Sequence, residues 1–336
     1  MRKTRVAING FGRIGRLIFR MLSQKEDVEL VAVNDLTGNA LLAHLLKYDT
    51  AHGTFDAELG FDDDNIYCNG IKVAASATRN PEELPWKALD IDVVFECTGI
   101  FRTREGSEKH LKAGAKKVLI SAPAKGGDVP MVVLGVNESI LKPEDKIISN
   151  ASCTTNCLAP MAQVLNEKFG IKKGFVTTIH AYTADQNLQD GPHSSDFRRA
   201  RAAAANLVPT TTNAAKAVEK VMPELNGKLF ASAVRVPVLD GSLTELNCVL
   251  NKEVTVEEIN NAFKASAEGN LKGILQYEEA PLVSSDIVGN PYSTIFDAQL
   301  TQSSGDFIKI VAWYDNEYGY ASRMVDLLEY LNKIES

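Results

Sequence analysis

One stretch near the start of the chain, TRVAINGFGRIGRLIFRM (Thr4 to Met21), restricts the possible folds more than any other. A short apolar run ends at Asn9. Gly10, Gly12 and Gly15 follow as G-x-G-x-x-G, and Ile14, Leu17, Ile18 and Met21 then recur at helical spacing. A second apolar run, VELVAVND, ends in Asp35, which lies 20 residues beyond Gly15. Strand, glycines, helix, strand and acid in this order make the βαβ unit that holds a dinucleotide. Gly10 permits the tight turn, Gly12 lets the backbone approach a pyrophosphate, and Gly15 lets helix and strand pack closely. The helix then presents free N–H groups and a partial positive charge to the phosphates. The Asp35 carboxylate suits a ribose hydroxyl pair and would repel a 2′-phosphate, so NAD is expected rather than NADP. A generic glycine-rich turn would leave Asp35 unexplained.

The α/β rhythm continues. IDVVFECTG and KKVLISAPA read as buried strands, with the helical stretch REGSEKHLKAG between them, and MVVLGVN reads as a further strand. Parallel strands joined by helices give a doubly wound Rossmann sheet, whose ligands sit beyond the strand C-termini. Thr98, Gly99, Ser121 and Ala122 fall at such ends.

After Asn150 the pattern changes. CTTNCLAPMAQVLNEKF reads as a helix beginning at Cys153, with Pro160 as an expected kink. GFVTTIHAYT, KLFASAVRVPV, SLTELNCVLN and FIKIVAWYD read as strands in close succession, which predicts an α+β unit on a mostly antiparallel sheet. VTVEEINNAFKASAE reads as a helix capped by Thr255 with Glu258 three residues on. A chain of 336 residues exceeds what one core usually serves. The expected division is a dinucleotide domain over 1–151 and a catalytic domain over 152–318, with a last helix over 319–336 returning to the first domain.

Cys153 stands between two readings. At a helix N-terminus its thiolate is favoured, Ser152 and Thr154 supply hydroxyls beside it, and His180 is a candidate partner. Free cysteines are also common as small core residues, a role that suits Cys157. Spacing along the chain does not bring Cys153 and His180 together. A long aperiodic stretch, TADQNLQDGPHSSDFRRARAAAAN, carries Arg198, Arg199 and Arg201, and segments of this kind are usually functional or interfacial. Thr183, Thr212 and Arg235 add donors suited to a phosphate. Together these features point to a phosphorylated aldehyde as substrate.

Composition narrows the alternatives. A net charge of −7 argues against a nucleic-acid partner. No apolar run reaches membrane-spanning length, and the N-terminus lacks a signal peptide's apolar core, so a cytoplasmic protein is expected. Five scattered cysteines do not form a disulfide framework, and no further Cys or His pair joins Cys153 and Cys157 to make a metal site.

INGFGRIGR, ASCTTNCLAP, HAYTADQ, DGPHSSDFRRARAAAANLVPT, PELNGKL, RVP and WYDNEYGY occur in this order. Over essentially its whole length the chain resembles the phosphorylating glyceraldehyde-3-phosphate dehydrogenase family. The resemblance implies Cys153 as nucleophile and His180 as its activating partner. It implies an inorganic-phosphate pocket of Ser152, Thr154, Thr212 and Asn213. Thr183, Arg235 and one of Arg198 or Arg199 would hold the substrate phosphate. Beyond the glycine motif, Arg13, Ile14, Asp35, Arg79, Ser121 and Asn316 would contact NAD. The aperiodic stretch, about 182–206, would be the family's S-loop, which implies a homotetramer. The substrates implied are D-glyceraldehyde 3-phosphate and inorganic phosphate. Erythrose-4-phosphate dehydrogenase is the alternative within the same chemistry. Two positions depart from the family pattern. Asn213 stands where a glycine is usual, raising the question of a positive φ and a crowded phosphate pocket. Tyr318 stands where a tryptophan is common, a packing change that leaves Asn316 in place.

Overall fold

A computed structural model of the chain describes residues 2–334. The last two residues of the expected C-terminal helix lie outside them. The described residues fall into two units. The first runs up to Val132 and adds Ser139–Ala151 and the chain from Ala321 onward, and the second holds Val133–Glu138 and Ser152–Tyr320.

In the first unit, β1 (Thr4–Asn9) leads through α1 (Arg13–Leu22) to β2 (Val28–Asn34). After α2 (Asn39–Lys47), a two-stranded ribbon of β3 (Tyr48–Asp49) and β4 (Gly53–Thr54) precedes β5 (Leu59–Phe61), β6 (Asn65–Cys68) and β7 (Ile71–Ser76). Then come β8 (Val93–Glu96), α3 (Arg104–Lys112), β9 (Lys117–Ile120) and β10 (Ile147–Ser149). The main sheet runs β10-β9-β8-β1-β2-β7-β6-β5. Its pairings from β10 to β7 are parallel, and β5 and β6 add an antiparallel edge. Helix α1 buries Leu17, Ile18, Phe19 and Leu22, while Ile14 and Met21 of the expected stripe are only half-buried. Trp86, Ile91, Val94 and Ala7 pack in one core cluster of this unit.

MVVLGVN is not a strand. Met131 makes one isolated bridge to Ser149, and the chain then turns. The turn passes through Gly135 at φ +84, where Leu271 and Ile274 lie against its Cα, so this segment packs with the second unit. Its place at the sheet edge goes to β10.

The second unit opens with α4 (Cys153–Phe169) and β11 (Ile171–Ala181). It continues through β12 (Val208–Thr210), α5 (Ala214–Val221), β13 (Leu229–Val236), β14 (Ser242–Leu250) and α6 (Val256–Glu268). β15 (Leu275–Glu278), α7 (Ser284–Ile287), β16 (Thr294–Asp297), β17 (Gln302–Ser304) and β18 (Phe307–Tyr314) complete it, and α8 (Tyr318–Ile334) begins here. The sheet runs β12-β13-β11-β14-β18-β16-β15, with β17 on β18. Most pairings are antiparallel, and β11 with β13 and β15 with β16 are the parallel ones. From Ala321 onward α8 belongs to the first unit, where Glu329 meets Lys25 at 2.5 Å and Asn332 donates to Thr4 Oγ1 at 3.0 Å.

Helix α4 runs through Pro160 without ending. Proline removes the N–H that would bond the carbonyl four residues back, a loss of roughly 3 kcal/mol in an isolated helix. Here the buried Thr294 hydroxyl donates to the Cys157 carbonyl at 2.8 Å and lies 3.5 Å from the Asn156 carbonyl, the one Pro160 leaves without its helical donor. Helix α6 carries the expected capping box: the Glu258 N–H donates to Thr255 Oγ1 at 3.1 Å, and the Thr255 N–H donates to Glu258 Oε2 at 2.7 Å.

Candidate active site

The dinucleotide cleft belongs to the first unit. Asn9, Gly10, Gly12, Asp35, Arg79, Thr98 and Phe101 are among the residues lining a cavity of about 490 Å³ beyond the C-terminal ends of β1, β2 and β8. Gly10 sits at φ +91, and a Cβ there would lie 2.6 Å from the Thr98 nitrogen. A Cβ at Gly15 would run into the Gly10 carbonyl. Gly12 is different: space around it is open, and as N-cap of α1 it leaves the first-turn N–H groups without a side-chain acceptor. A cradle closed behind Gly10 and open in front of Gly12 fits a pyrophosphate. The Asp35 carboxylate accepts the Phe11 N–H at 2.8 Å and the Thr37 N–H at 3.0 Å, which fixes it at the rim and leaves lone pairs for a ribose. Gly10→Ala is expected to remove measurable NAD binding in calorimetry and to lower stability by about 1–3 kcal/mol from backbone strain alone. Wild-type affinity in that variant would contradict the role of the turn.

Other expected cofactor residues lie differently. Arg79 is exposed on the cleft. Arg13 points its guanidinium at Asp49, at 2.5 and 3.0 Å, and Ile14 is half-buried beside it, neither lining the cavity. Ser121, at the end of β9, donates its hydroxyl to the Glu96 carbonyl at 3.1 Å and is also outside the lining.

The floor of the cleft holds polar groups that sequence reasoning missed. Asn34 Nδ2 donates to Asn9 Oδ1 at 2.7 Å, and Asn9 Nδ2 donates to Glu96 Oε2 at 2.6 Å. His110 Nδ1 accepts the Trp86 indole N–H at 3.0 Å, so its Nε2–H donates to Glu96 Oε2 at 2.9 Å. Glu96 Oε1 in turn accepts the Thr98 N–H at 2.9 Å and orients the loop against Gly10. The signal was present: β1, β2 and β8 each end an apolar run on a polar residue, Asn9, Asn34 and Glu96.

The second unit brings Cys153 and His180 together. Ser152 caps α4, its hydroxyl accepting the Thr155 N–H at 3.1 Å, and Cys153 is the first helical residue. The preceding Ala151 is buried in left-handed backbone, φ 53, a strained conformation for a residue with a Cβ. His180 lies near the end of β11, with Nε2 3.5 Å from Cys153 Sγ. Thr154 Oγ1 is 4.0 Å from the sulfur and 3.0 Å from the Tyr314 hydroxyl, and the His180 ring meets the Tyr314 ring edge-on at 5.9 Å.

The parallel register of β11 and β13 places Arg235 directly beside His180. Its Nη1 is 2.6 Å from His180 Nδ1 and donates to the Ala181 carbonyl at 3.1 Å. Its Nε is buried without a partner among the described residues, and no carboxylate pairs with the guanidinium. A half-buried cation with an unpartnered donor and no carboxylate beside it is suited to an anion.

Burial acts against the helix terminus at Cys153. Burial pushes the Cys153 thiol up, and Arg235, the Thr154 hydroxyl and backbone N–H groups only oppose it. Burial and then the Arg235 charge hold His180 down to about 3. Desolvation therefore opposes the thiolate that the helix terminus favours.

The remaining anion candidates divide. Arg199 is tied to Asp185, to Asp196 and, through Nε at 3.0 Å, to Thr210, and its charge reaches both His180 and Arg235. Arg198 is exposed. Of the two, Arg199 faces the site. Thr183 follows the end of β11 by two residues, and its N–H donates to Gln186 Oε1 at 3.3 Å. Thr212 and Asn213 open α5, which packs on α4, and Thr212 Oγ1 accepts the Ala214 N–H at 3.2 Å. Asn213 has φ −97 and an exposed side chain, so the position needs no left-handed backbone and asparagine fits without strain. Asn316 is buried and accepts the Ser242 hydroxyl at 2.6 Å, while Ser242 Oγ accepts the Ala181 N–H at 3.1 Å.

Residues 4–104 match the family model described as the NAD binding domain of glyceraldehyde 3-phosphate dehydrogenase, and residues 152–316 match the model of its C-terminal domain. The chain is 56% identical over 336 residues to a glyceraldehyde-3-phosphate dehydrogenase of Mycobacterium tuberculosis, covering 98% of each chain. It is 55% identical over 329 residues to the Geobacillus stearothermophilus protein of that name, covering 97% of this chain and 98% of the relative. It is also 54% identical to glyceraldehyde-3-phosphate dehydrogenase 1 of Bacillus subtilis over 331 residues, 98% of each.

Proposed function

The chain belongs to the glyceraldehyde 3-phosphate dehydrogenase family, and from that premise we propose that it oxidises D-glyceraldehyde 3-phosphate, with NAD and inorganic phosphate, to 1,3-bisphosphoglycerate. The observation that carries this reading is the group around Cys153 Sγ: His180 Nε2 at 3.5 Å and the Arg235 guanidinium with donors to spare. Nucleophile, base and anion site are what a phosphorylated aldehyde requires.

Cys153 Sγ attacks the aldehyde carbon while His180 Nε2 takes the thiol proton. The Cys153 N–H, at the start of α4, and the His180 imidazolium stabilise the oxyanion that forms. NAD, when bound, supplies the hydride acceptor that turns the thiohemiacetal into a thioester. Inorganic phosphate then attacks the thioester carbonyl, the C–S bond breaks, and the acyl phosphate leaves. Arg235, Thr183 and Arg199 hold the substrate's own phosphate. Ser152, Thr154, Thr212 and Asn213 face the attacking phosphate. Ser152 Oγ is already shared with Thr155 Oγ1 at 2.7 Å and Thr154 Oγ1 with the Tyr314 hydroxyl at 3.0 Å. The donors open to that phosphate are therefore the Thr212 hydroxyl, which only accepts the Ala214 N–H, and the exposed Asn213 amide.

A cytoplasmic enzyme suits five free cysteines. Among the described residues no helix is long and apolar enough to cross a membrane. A homotetramer suits the apolar surface of the second unit: the Phe175 and Phe230 rings meet at a tilt with centroids 5.5 Å apart while more than half exposed, and Leu188 and Phe197 in the S-loop are 83% and 95% exposed.

An assay of NADH formation tests the reading. Turnover is expected only with glyceraldehyde 3-phosphate, NAD and phosphate together. Phosphate-independent oxidation of erythrose 4-phosphate at a higher kcat/KM would overturn it. The relatives' names do not favour that alternative.

A further inference from the structure

Under the dinucleotide cleft the hydrogen bonds run toward Glu96, and their direction is set at both ends. At one end is the Thr78 backbone, which lines the cleft beyond β7. Its N–H donates to Asn34 Oδ1 at 2.9 Å and its carbonyl accepts from Asn34 Nδ2 at 2.9 Å, so the Asn34 amide has one orientation. Asn34 Nδ2 also donates to Asn9 Oδ1 at 2.7 Å, which turns Asn9 Nδ2 onto Glu96 Oε2 at 2.6 Å. At the other end is the Trp86 indole N–H, which can only donate. It occupies the lone pair of His110 Nδ1 at 3.0 Å and leaves the ring proton on Nε2, 2.9 Å from Glu96 Oε2. Thr98 lines the cleft beyond β8 and gives both its N–H, at 2.9 Å, and its hydroxyl to Glu96 Oε1.

We infer that Glu96 is a positioning residue for NAD, a buried acceptor that ties the Thr78 and Thr98 sides of the cleft to one floor. It is 1% exposed and does not line the cavity itself. Donors meet both of its oxygens, so the position requires a group that accepts at both ends. Glutamine has the same shape, but one of its ends donates. With its NH2 toward Asn9 and His110 it meets two donors, and turned around it meets the Thr98 N–H.

The neighbours cannot reverse to suit it. A reversed Asn9 would face Asn34 Nδ2, and the Thr78 backbone holds Asn34 in place. A reversed His110 would set an Nδ1–H against the Trp86 N–H. One of the cleft-lining groups must then let go. Either Asn9 shifts, or the Thr98 turn does, and that turn packs so closely on Gly10 that a Cβ there would lie 2.6 Å from the Thr98 nitrogen.

The test is calorimetric NAD binding by Glu96→Gln, by Trp86→Phe and by the double variant, each checked for folding by circular dichroism. Glu96→Gln is expected to raise the NAD Kd about tenfold or more, with kcat at saturating NAD within about threefold of wild type. Trp86→Phe removes the donor that fixes His110. In the double variant Nδ1 can hold the proton, and Nε2 can accept from the new amide or from Asn9 Nδ2, 3.4 Å away. The double variant is therefore expected to bind NAD about threefold or more tighter than Glu96→Gln alone, whereas two packing defects would add. Nitrogen NMR on wild-type enzyme labelled at tryptophan and histidine needs no variant. Of the two tryptophans, Trp313 donates to Asp297, so a coupling across a hydrogen bond from an indole N–H to an unprotonated histidine nitrogen is the expected mark of Trp86 and His110. A folded Glu96→Gln enzyme with a Kd within about twofold of wild type overturns the inference, as do additive losses in the double variant. A wild-type enzyme whose indoles show no such coupling overturns it as well. The binding readouts do not involve Cys153, so they stand apart from the reading of the reaction.

Discussion

Cys153→Ser is expected to abolish phosphate-dependent NADH formation, with kcat falling on the order of 10⁴-fold or more, as when a covalent nucleophile is removed from an enzyme that depends on it. A serine hydroxyl is far less acidic than a thiol and forms an ester rather than a thioester, so both acylation and phosphorolysis suffer. The NAD cleft is built from the first unit's own residues, so calorimetric NAD affinity should stay within a few-fold of wild type. The thiol has no structural partner that serine would disturb, since its nearest polar neighbours are His180 at 3.5 Å and Thr154 at 4.0 Å. Substantial residual turnover with folded Cys153→Ser enzyme would exclude the covalent route.

His180→Asn is the second large effect. Loss of the base should slow turnover by roughly 10²- to 10⁴-fold, with NAD affinity kept. Alkylation of Cys153 by iodoacetamide should also slow near neutral pH, because His180 Nε2, 3.5 Å from the sulfur, is the group that takes the thiol proton. The same variant should change the acid limb of stability. His180 is held down to about 3 in the folded protein against an ordinary value of 6.5, so between those values the unfolded chain binds the extra proton. Stability is therefore present above about pH 6.5 and is lost as pH falls toward 3. Without the imidazole that loss is absent, and the curve of stability against pH should be flatter on the acid side. Unchanged turnover, or an acid limb identical to wild type, would contradict the role and the burial assigned to this ring.

How far these features could be read in the sequence depends on how local they are. Gly10, Gly15 and Asp35 act through a contiguous βαβ unit, so their spacing was enough to place them. The capping box at Thr255 and Glu258 is equally local. His180 and Arg235 are 55 residues apart and meet only because β11 and β13 pair in parallel in one register, which no periodicity announces. MVVLGVN has the composition of a strand, but Leu271 and Ile274, far along the chain, draw its glycine away from the sheet. The helix through Pro160 depends on Thr294 in the same way. The left-handed backbone at Ala151 had no signature, since glycine or asparagine normally marks that conformation. The setting of the thiol was legible only in part: a helix N-terminus is visible in sequence, whereas the desolvation that opposes it depends on everything packed around the sulfur.

The most direct measurement is the mass of the Cys153 peptide after wild-type enzyme is mixed with NAD and glyceraldehyde 3-phosphate in phosphate-free buffer and quenched in acid. The account predicts a 3-phosphoglyceroyl adduct on Cys153 that disappears within one turnover when inorganic phosphate is added. An unmodified Cys153 peptide under conditions where a burst of NADH is seen would contradict it.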